Sequence, residues 1–168
     1  VRRRFRQDYQ EVTYGSAVEQ EARSATQWAH KLPHPMIVVT KLDTWDELSN
    51  VHDVTGYSYT DGFYDGAEKQ FRGYAAVVTE LAGDAYQESG RTLLSYDVGA
   101  DDPYRHGLML EKVQESDCVV LTIQRSTYDD CVVAGADLAA TFDIRYLCLT
   151  AEEEELREGA APGEWLTV

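Results

Sequence analysis

Lysine is scarce in this chain: 15 basic residues face 30 carboxylates, only four of the 15 are lysine, and the net charge over 168 residues is -15. Motifs that would name a reaction are absent. No P-loop, no G-x-G-x-x-G and no G-x-S-x-G occurs, which removes the common nucleotide-binding and serine-hydrolase readings. Cysteine is limited to Cys118, Cys131 and Cys148, an odd number without C-x-x-C spacing, which argues against a disulfide framework or a zinc knuckle. The three read as buried thiols, although Cys118 and Cys131 flank a proposed turn and could approach each other. No apolar run nears the roughly 20 residues of a membrane span, and no signal-peptide core is visible. The chain is therefore expected to be soluble and not secreted by a classical route. Internal repeats are lacking, and the only biased segment is a glutamate run.

What is present points to a folded domain. Apolar content of 43% and 18 aromatic residues (3 Trp, 11 Tyr, 4 Phe) exclude wholesale disorder despite the charge. A length of 168 residues suits a single domain with a real core. Self-repulsion among so many carboxylates destabilises a compact state in dilute salt, and at molar salt, with a Debye length of about 3 Å, most of it is screened. A salt-adapted protein is the reading this favours over an acidic mesophilic protein or a DNA mimic. The charge is also uneven: Arg2, Arg3, Arg4 and Arg6 make the first six residues basic, leaving -19 on residues 7–168.

The strongest pattern is in residues 117–150, read as a β-hairpin. Val119, Leu121 and Ile123 form the inward row of its first strand, and Leu138, Ala140, Phe142, Ile144, Tyr146 and Cys148 alternate along the second. Ser16 to Glu19 spells a capping box, so a helix is expected from residue 16 to about Leu32, where Pro33 and Pro35 end it. The β-branched run Met36 to Leu42 reads as a strand and residues 45–51 as a helical turn. A second strand should end near Thr60, before Asp61-Gly62 and Asp65-Gly66, and a long strand should follow from Lys69 to Leu81. Asp84 to Asp97 is expected to be helical, as is Pro103 to Gln114 with Asp102 as its cap. The sum is an α+β fold: a mostly antiparallel sheet of about five strands with two to three helices packed on one face. Residues 1–15 form a basic arm, 16–150 a single domain and 151–168 an acidic tail.

Three groupings could carry chemistry. His30 and His34 have i, i+4 spacing for a metal, but the prolines interrupt the helix there. Asp61, Asp65 and Glu68 surround two glycines like a loose oxygen-ligand loop, although turn formation already accounts for them. Asp101, Asp102, Tyr104, Arg105 and His106 are the densest titratable cluster, with helix capping as the competing explanation. None of them is expected to be catalytic, to bind a metal or to hold a cofactor. The expected interface residues are Arg2, Arg3, Arg4, Arg6, Trp28, Glu152, Glu153, Glu154, Glu155 and Trp165, since guanidiniums pair with carboxylates and tryptophan and tyrosine are favoured at interfaces.

The order of elements, a front helix, the strand Met36 to Leu42, a hairpin through Lys69 to Leu81, the helix Asp84 to Asp97 and the closing hairpin, resembles the small neck and tail-terminator proteins of tailed viruses. The resemblance covers roughly residues 36–150 and rests on element order and size. It implies a ring-forming structural subunit at a virion head–tail junction, located in the virion or otherwise in the cytoplasm. The composition would then indicate a salt-loving host. Expected partners are copies of the chain in a homo-oligomeric ring and neighbouring structural proteins, with nucleic acid contact only through the arginine arm and no membrane. A small α+β enzyme with an Asp/Arg/His site and an acidic DNA-mimic inhibitor are the alternatives.

Overall fold

The computed structural model describes residues 9–23, 27–46, 51–84, 88–131, 145–158 and 166–167. Its strands follow the chain as one antiparallel meander: β1 (Tyr9–Ser16), β2 (Ile37–Asp46), β3 (Val51–Asp65), β4 (Gln70–Leu81), β5 (Gly90–Asp97), β6 (Leu108–Ser116), β7 (Val119–Asp130), β8 (Leu147–Leu156) and the two-residue β9 (Leu166–Thr167). Every strand pairs with its neighbour in sequence, so spatial order and chain order coincide. The described residues contain one α-helix, α1 (Ala17–Arg23), and one 3₁₀ turn at Pro103–Arg105.

This corrects the expected sheet of about five strands under two to three helices. The segment read as a helix from Asp84 to Asp97 ends in β5, where Leu93 and Leu94 project to opposite faces and each meets a neighbouring strand, Val113 and Lys112 respectively. The second expected helix begins as foreseen, since Asp102 Oδ1 accepts from Tyr104 N at 3.1 Å and Pro103 takes the first position. It stops after one turn. Gly107 follows at φ +81°, in the left-handed region, and the chain leaves as β6. The expected turn at Asp61-Gly62 lies inside β3, while Asp65-Gly66 does begin a turn: Asp65 Oδ1 accepts from Ala67 N and Glu68 N at 2.9 and 3.1 Å. Residues 138–144 of the expected closing strand lie outside the described residues, and β8 carries its pairing on from Leu147 to Leu156.

β2 leaves β3 part-way along, because its first residues, Ile37 to Val39, stay paired with β1 and only Lys41 to Asp46 pair with β3. From Tyr57 onward β3 would lose its partner on that side. Gln20 of α1 takes the position instead, donating from Nε2 to Tyr57 O at 3.5 Å and accepting at Oε1 from Tyr59 N at 3.0 Å. Residues 27–36 then cross the β3–β4 hairpin. Trp28 is 3% exposed and meets Tyr74 edge-on at 6.3 Å, and Tyr74 in turn contacts Tyr59 and Phe71.

Beyond this strap the described residues form a single layer of sheet. Among the described residues the buried apolar side chains are Ala17, Trp28, Val98 and Ile123, while Asp43, Arg72 and Glu155 are equally buried although charged. A two-layer domain would bury one whole face of its sheet and show a period-two burial pattern. Here β4 and β6 are half-buried residue after residue.

Candidate interaction surface

Register alignment places side chains in rows across the strands. Val78, Leu93, Val113 and Ile123 are directly opposite one another on β4 to β7 and form an apolar row on one face. On one side of it runs a charged row on the same face, Glu80, Arg91 and Glu115, joined at 3.5 and 3.0 Å. On the other side Arg125 bridges Glu111 at 2.9 Å and Glu155 at 3.2 Å, and Arg157 closes on Glu155 at 2.9 Å. Glu111 foremost, and Glu155 after it, holds the Arg125 guanidinium above its ordinary pKa. The opposite face carries a row of uncharged polar side chains, Thr79, Thr92, Gln114 and Thr122. An apolar strip between ion-paired borders is the composition of an interface centre with its rim.

At one end of the sheet three arginines join the connections between strands. Arg72 on β4, its side chain 4% exposed, donates through Nη2 to Asp65 and Glu68, both at 2.8 Å, and through Nη1 to Pro103 O at 3.5 Å. The Glu68 backbone amide first, and Ala67 N and Arg72 after it, keep the Asp65 carboxyl below the usual carboxylate range. Arg105 Nε donates to Asp97 Oδ2 at 2.7 Å. Arg145 makes two parallel bonds to Asp130 at 3.0 and 3.1 Å, a third to Asp102 at 3.0 Å, and lies 5.2 Å from the Tyr104 ring centre. Elsewhere Asp43, bonded to Lys41 at 2.8 Å and His52 at 3.0 Å, has its pKa lowered, chiefly by Lys41.

These contacts account for the groupings proposed as chemistry. Asp102 caps a turn and pairs with Arg145, and Arg105 pairs with Asp97, so the Asp101 to His106 cluster is a loop fastening. Asp65 and Glu68 do converge, but on Arg72, while Asp61 accepts from Ala29 N. His30 packs on Phe63 and His34 on Tyr64, with no metal-capable cluster of three among the described residues. A cleft of about 410 Å³ at the opposite end is lined by Ser89, Arg91, Glu115, Asp117 and Cys118 among others, and within it Ser89 Oγ donates to Asp117 Oδ1 at 2.8 Å.

Of the interface residues expected from sequence, Arg2, Arg3, Arg4, Arg6 and Trp165 lie outside the described residues. Trp28 is buried where the strap packs on Tyr74, and Glu155 is buried between two arginines. Glu152, Glu153 and Glu154 are exposed on β8, whose far side pairs with β9 only at Glu155 and Leu156. At the other edge, Val12 and Tyr14 on β1, Val18 on α1 and Ile37 on β2 are exposed, and so are Tyr104, Tyr146 and Leu149 near the arginine fastening. The sequence reading missed these apolar residues because several of them sit in segments then taken for arm, turn or helix.

The cysteines also differ from the expected set of thiols. Cys131 and Cys148 are disulfide-bonded, whereas Cys118 is free and exposed. β7 separates Cys118 from Cys131 by twelve extended residues, or about 40 Å, so the two cannot meet across a turn.

Rows of side chains aligned across a sheet with open edges make this face the candidate surface for contact with other polypeptide. Comparison supplies the family: residues 3–97, more than half of the chain, match the model of the insecticide toxin TcdB middle/N-terminal region, and the chain belongs to that family. The fold is shared with solved structures. The crystal structure of TcdB2-TccC3-TEV superposes with a TM-score of 0.75 at 14% identity, over 91% of this chain and 10% of that one. The crystal structure of TcdB2-TccC3 gives 0.74 at 15% over the same shares. The Photorhabdus luminescens Tc holotoxin pore gives 0.74 at 15%, over 89% of this chain and 10% of that one. The chain therefore spans about a tenth of the length of these chains, which belong to multi-chain assemblies. No curated protein matches it.

These findings overturn the resemblance to neck and tail-terminator proteins, and with it the virion head–tail role and the viral keywords. The expected placement in a virion or cytoplasm, without secretion, falls for the same reason, since the family is that of an insecticide toxin. Element order misled because it was read with two helices that are strands.

Proposed function

We propose that this chain forms a wall segment of the TcdB-like component of a secreted insecticidal toxin complex, packing its single-layer sheet against other polypeptide of that complex. The observation that carries the reading is the missing second layer: among the described residues no large side chain is fully buried, and in the apolar row only Ile123 is buried while Val78, Leu93 and Val113 stay half-buried. No helix of the described residues is long and apolar enough to cross a membrane. The flanks of the 16–150 body, 1–15 and 151–168, supply the two edges in this proposal. Glu152, Glu153 and Glu154 lie on one, and Arg2, Arg3, Arg4, Arg6 and Trp165 serve as further contact residues.

Hydroxyl-radical footprinting tests the proposal. Labelling of Val78, Leu93 and Val113 is expected to fall several-fold when the chain is assembled with a TccC-type partner component, compared with the isolated chain. Equal labelling in both states would reject it. A homo-oligomeric ring, closing β1 of one copy on β8 of the next, would instead appear in light scattering as a fixed multiple of 18.9 kDa without any partner.

A further inference from the structure

We infer that the Cys131–Cys148 disulfide is a thiol-responsive latch that locks the arginine fastening at one end of the sheet. The inference stands independently of the toxin reading, because it rests on local geometry. The two Cα atoms are 5.5 Å apart, at the normal bridging distance, and the bond closes a loop of sequence separation 17. It sits where the β7–β8 ladder ends: Asp129 pairs with Cys148, Asp130 with Leu147, and Cys131 N donates to Tyr146 O at 2.7 Å.

Next to it, Arg145 joins Asp130 on β7 to Asp102 in the β5–β6 connection. Arg72 joins that same connection, at Pro103 O, to Asp65 and Glu68 in the β3–β4 turn. Three connections are thus linked through ion pairs and the Arg72 hydrogen bond to the Pro103 carbonyl, and the disulfide is the covalent element in this chain of contacts. Both cysteines are half-buried, within reach of a small thiol. A bulge between Thr127 and Tyr128 already interrupts the ladder just inside the latch, so the segment beyond it depends on these fastenings more than an unbroken hairpin would.

The chemistry is ordinary exchange. A low-molecular-weight thiolate attacks one sulfur and displaces the other cysteine as thiolate. A second thiol then resolves the mixed disulfide, so that two cysteine thiols form and the reductant leaves as its own disulfide. Losing a closure of this length relaxes the loop-entropy constraint, and the opening equilibrium of the ladder end should rise about 100-fold.

Amide hydrogen exchange on the full chain, with and without dithiothreitol, is the test. It is run in a Cys118→Ser background, because Cys118 lies at the opposite end of β7 and would otherwise take part in exchange. The amides of Asp129, Cys131 and Cys148 should exchange about 100-fold faster after reduction, while those of Thr79 and Thr92 in the middle of the sheet stay unchanged. A Cys131→Ser/Cys148→Ser double variant should match the reduced protein and ignore dithiothreitol. Protection at Asp129 and Cys131 within twofold in both states would overturn the inference. So would a uniform rise throughout the sheet, or alkylation of all three cysteines in the unreduced parent.

Discussion

Replacing Arg72 with methionine removes the most deeply buried charge in the arginine fastening while keeping a side chain of similar reach. The guanidinium is 4% exposed and holds Asp65, Glu68 and the Pro103 carbonyl. Deleting one partner of a buried pair typically costs about 3–5 kcal/mol, because the remaining charge loses its compensation. The Glu68 side chain is 60% exposed and regains water readily, whereas Asp65 is 20% exposed and regains less. The lower end, about 3 kcal/mol, is therefore expected for Arg72→Met. For a chain of this size that corresponds to a fall in Tm of about 6–12 °C, measured by circular dichroism at neutral pH. Arg72→Lys, able to reach one carboxylate but not both, should fall between the two. Asp65 has a depressed pKa in the folded protein, so its contribution is complete above the unfolded value of about 3.9 and is lost as pH falls through the folded value. The gap between parent and Arg72→Met should accordingly narrow below about pH 4. A variant within 1 kcal/mol of the parent at pH 7, or a gap indifferent to acid, would refute the assignment of Arg72 as the clasp between these connections.

Other outcomes follow from the same contacts. Trp28→Ala should lose about 3–5 kcal/mol in urea unfolding, as expected for a buried aromatic. Trp28→Phe should lose much less, because the indole Nε1 has no partner in the buried site. Gly62→Ala places a Cβ 2.9 Å from Tyr74 Cε1 and 3.0 Å from Leu32 Cδ1, so about 1–3 kcal/mol of overpacking should register as a lower urea midpoint. Asp43→Asn removes a carboxylate whose pKa Lys41 and His52 depress. The parent should lose stability as pH drops through about 4 and below, and the variant should lose less over that window.

The local chemistry of turns was legible in the sequence where a single residue type dictates it. Asp65-Gly66 turns, Asp102 caps, and the β-branched run after Pro35 is a strand, because each depends on backbone geometry that neighbouring residues cannot override. The long strand β4 was also visible, within a residue at either end, and β7 was visible as far as Arg125, whereas Ser126 to Asp130, expected as the polar connection, continue the strand. What failed was periodicity. In a single-layer sheet both faces are half-covered, so Leu93 and Leu94 can be adjacent and apolar without violating any burial rule, and the period-two signal disappears. Glu152 to Glu155 read as a tail because glutamate is depleted in strands. In the fold, Glu155 meets Arg125 and Glu152 meets Gln124, partners distant in sequence that no local pattern could announce, and Arg157, two residues on, closes on Glu155 from within the same segment. The interface rows share that origin: Val78, Leu93, Val113 and Ile123 come from four strands and align only through register.

The central claim is that this sheet is one layer of something thicker, and a high-resolution map of the assembled toxin component containing the chain tests it most directly. The account predicts non-solvent density within contact distance of Val78, Leu93, Val113 and Ile123 along the whole row. A map in which that face looks onto open solvent, or in which the sheet folds back to cover itself, would contradict it.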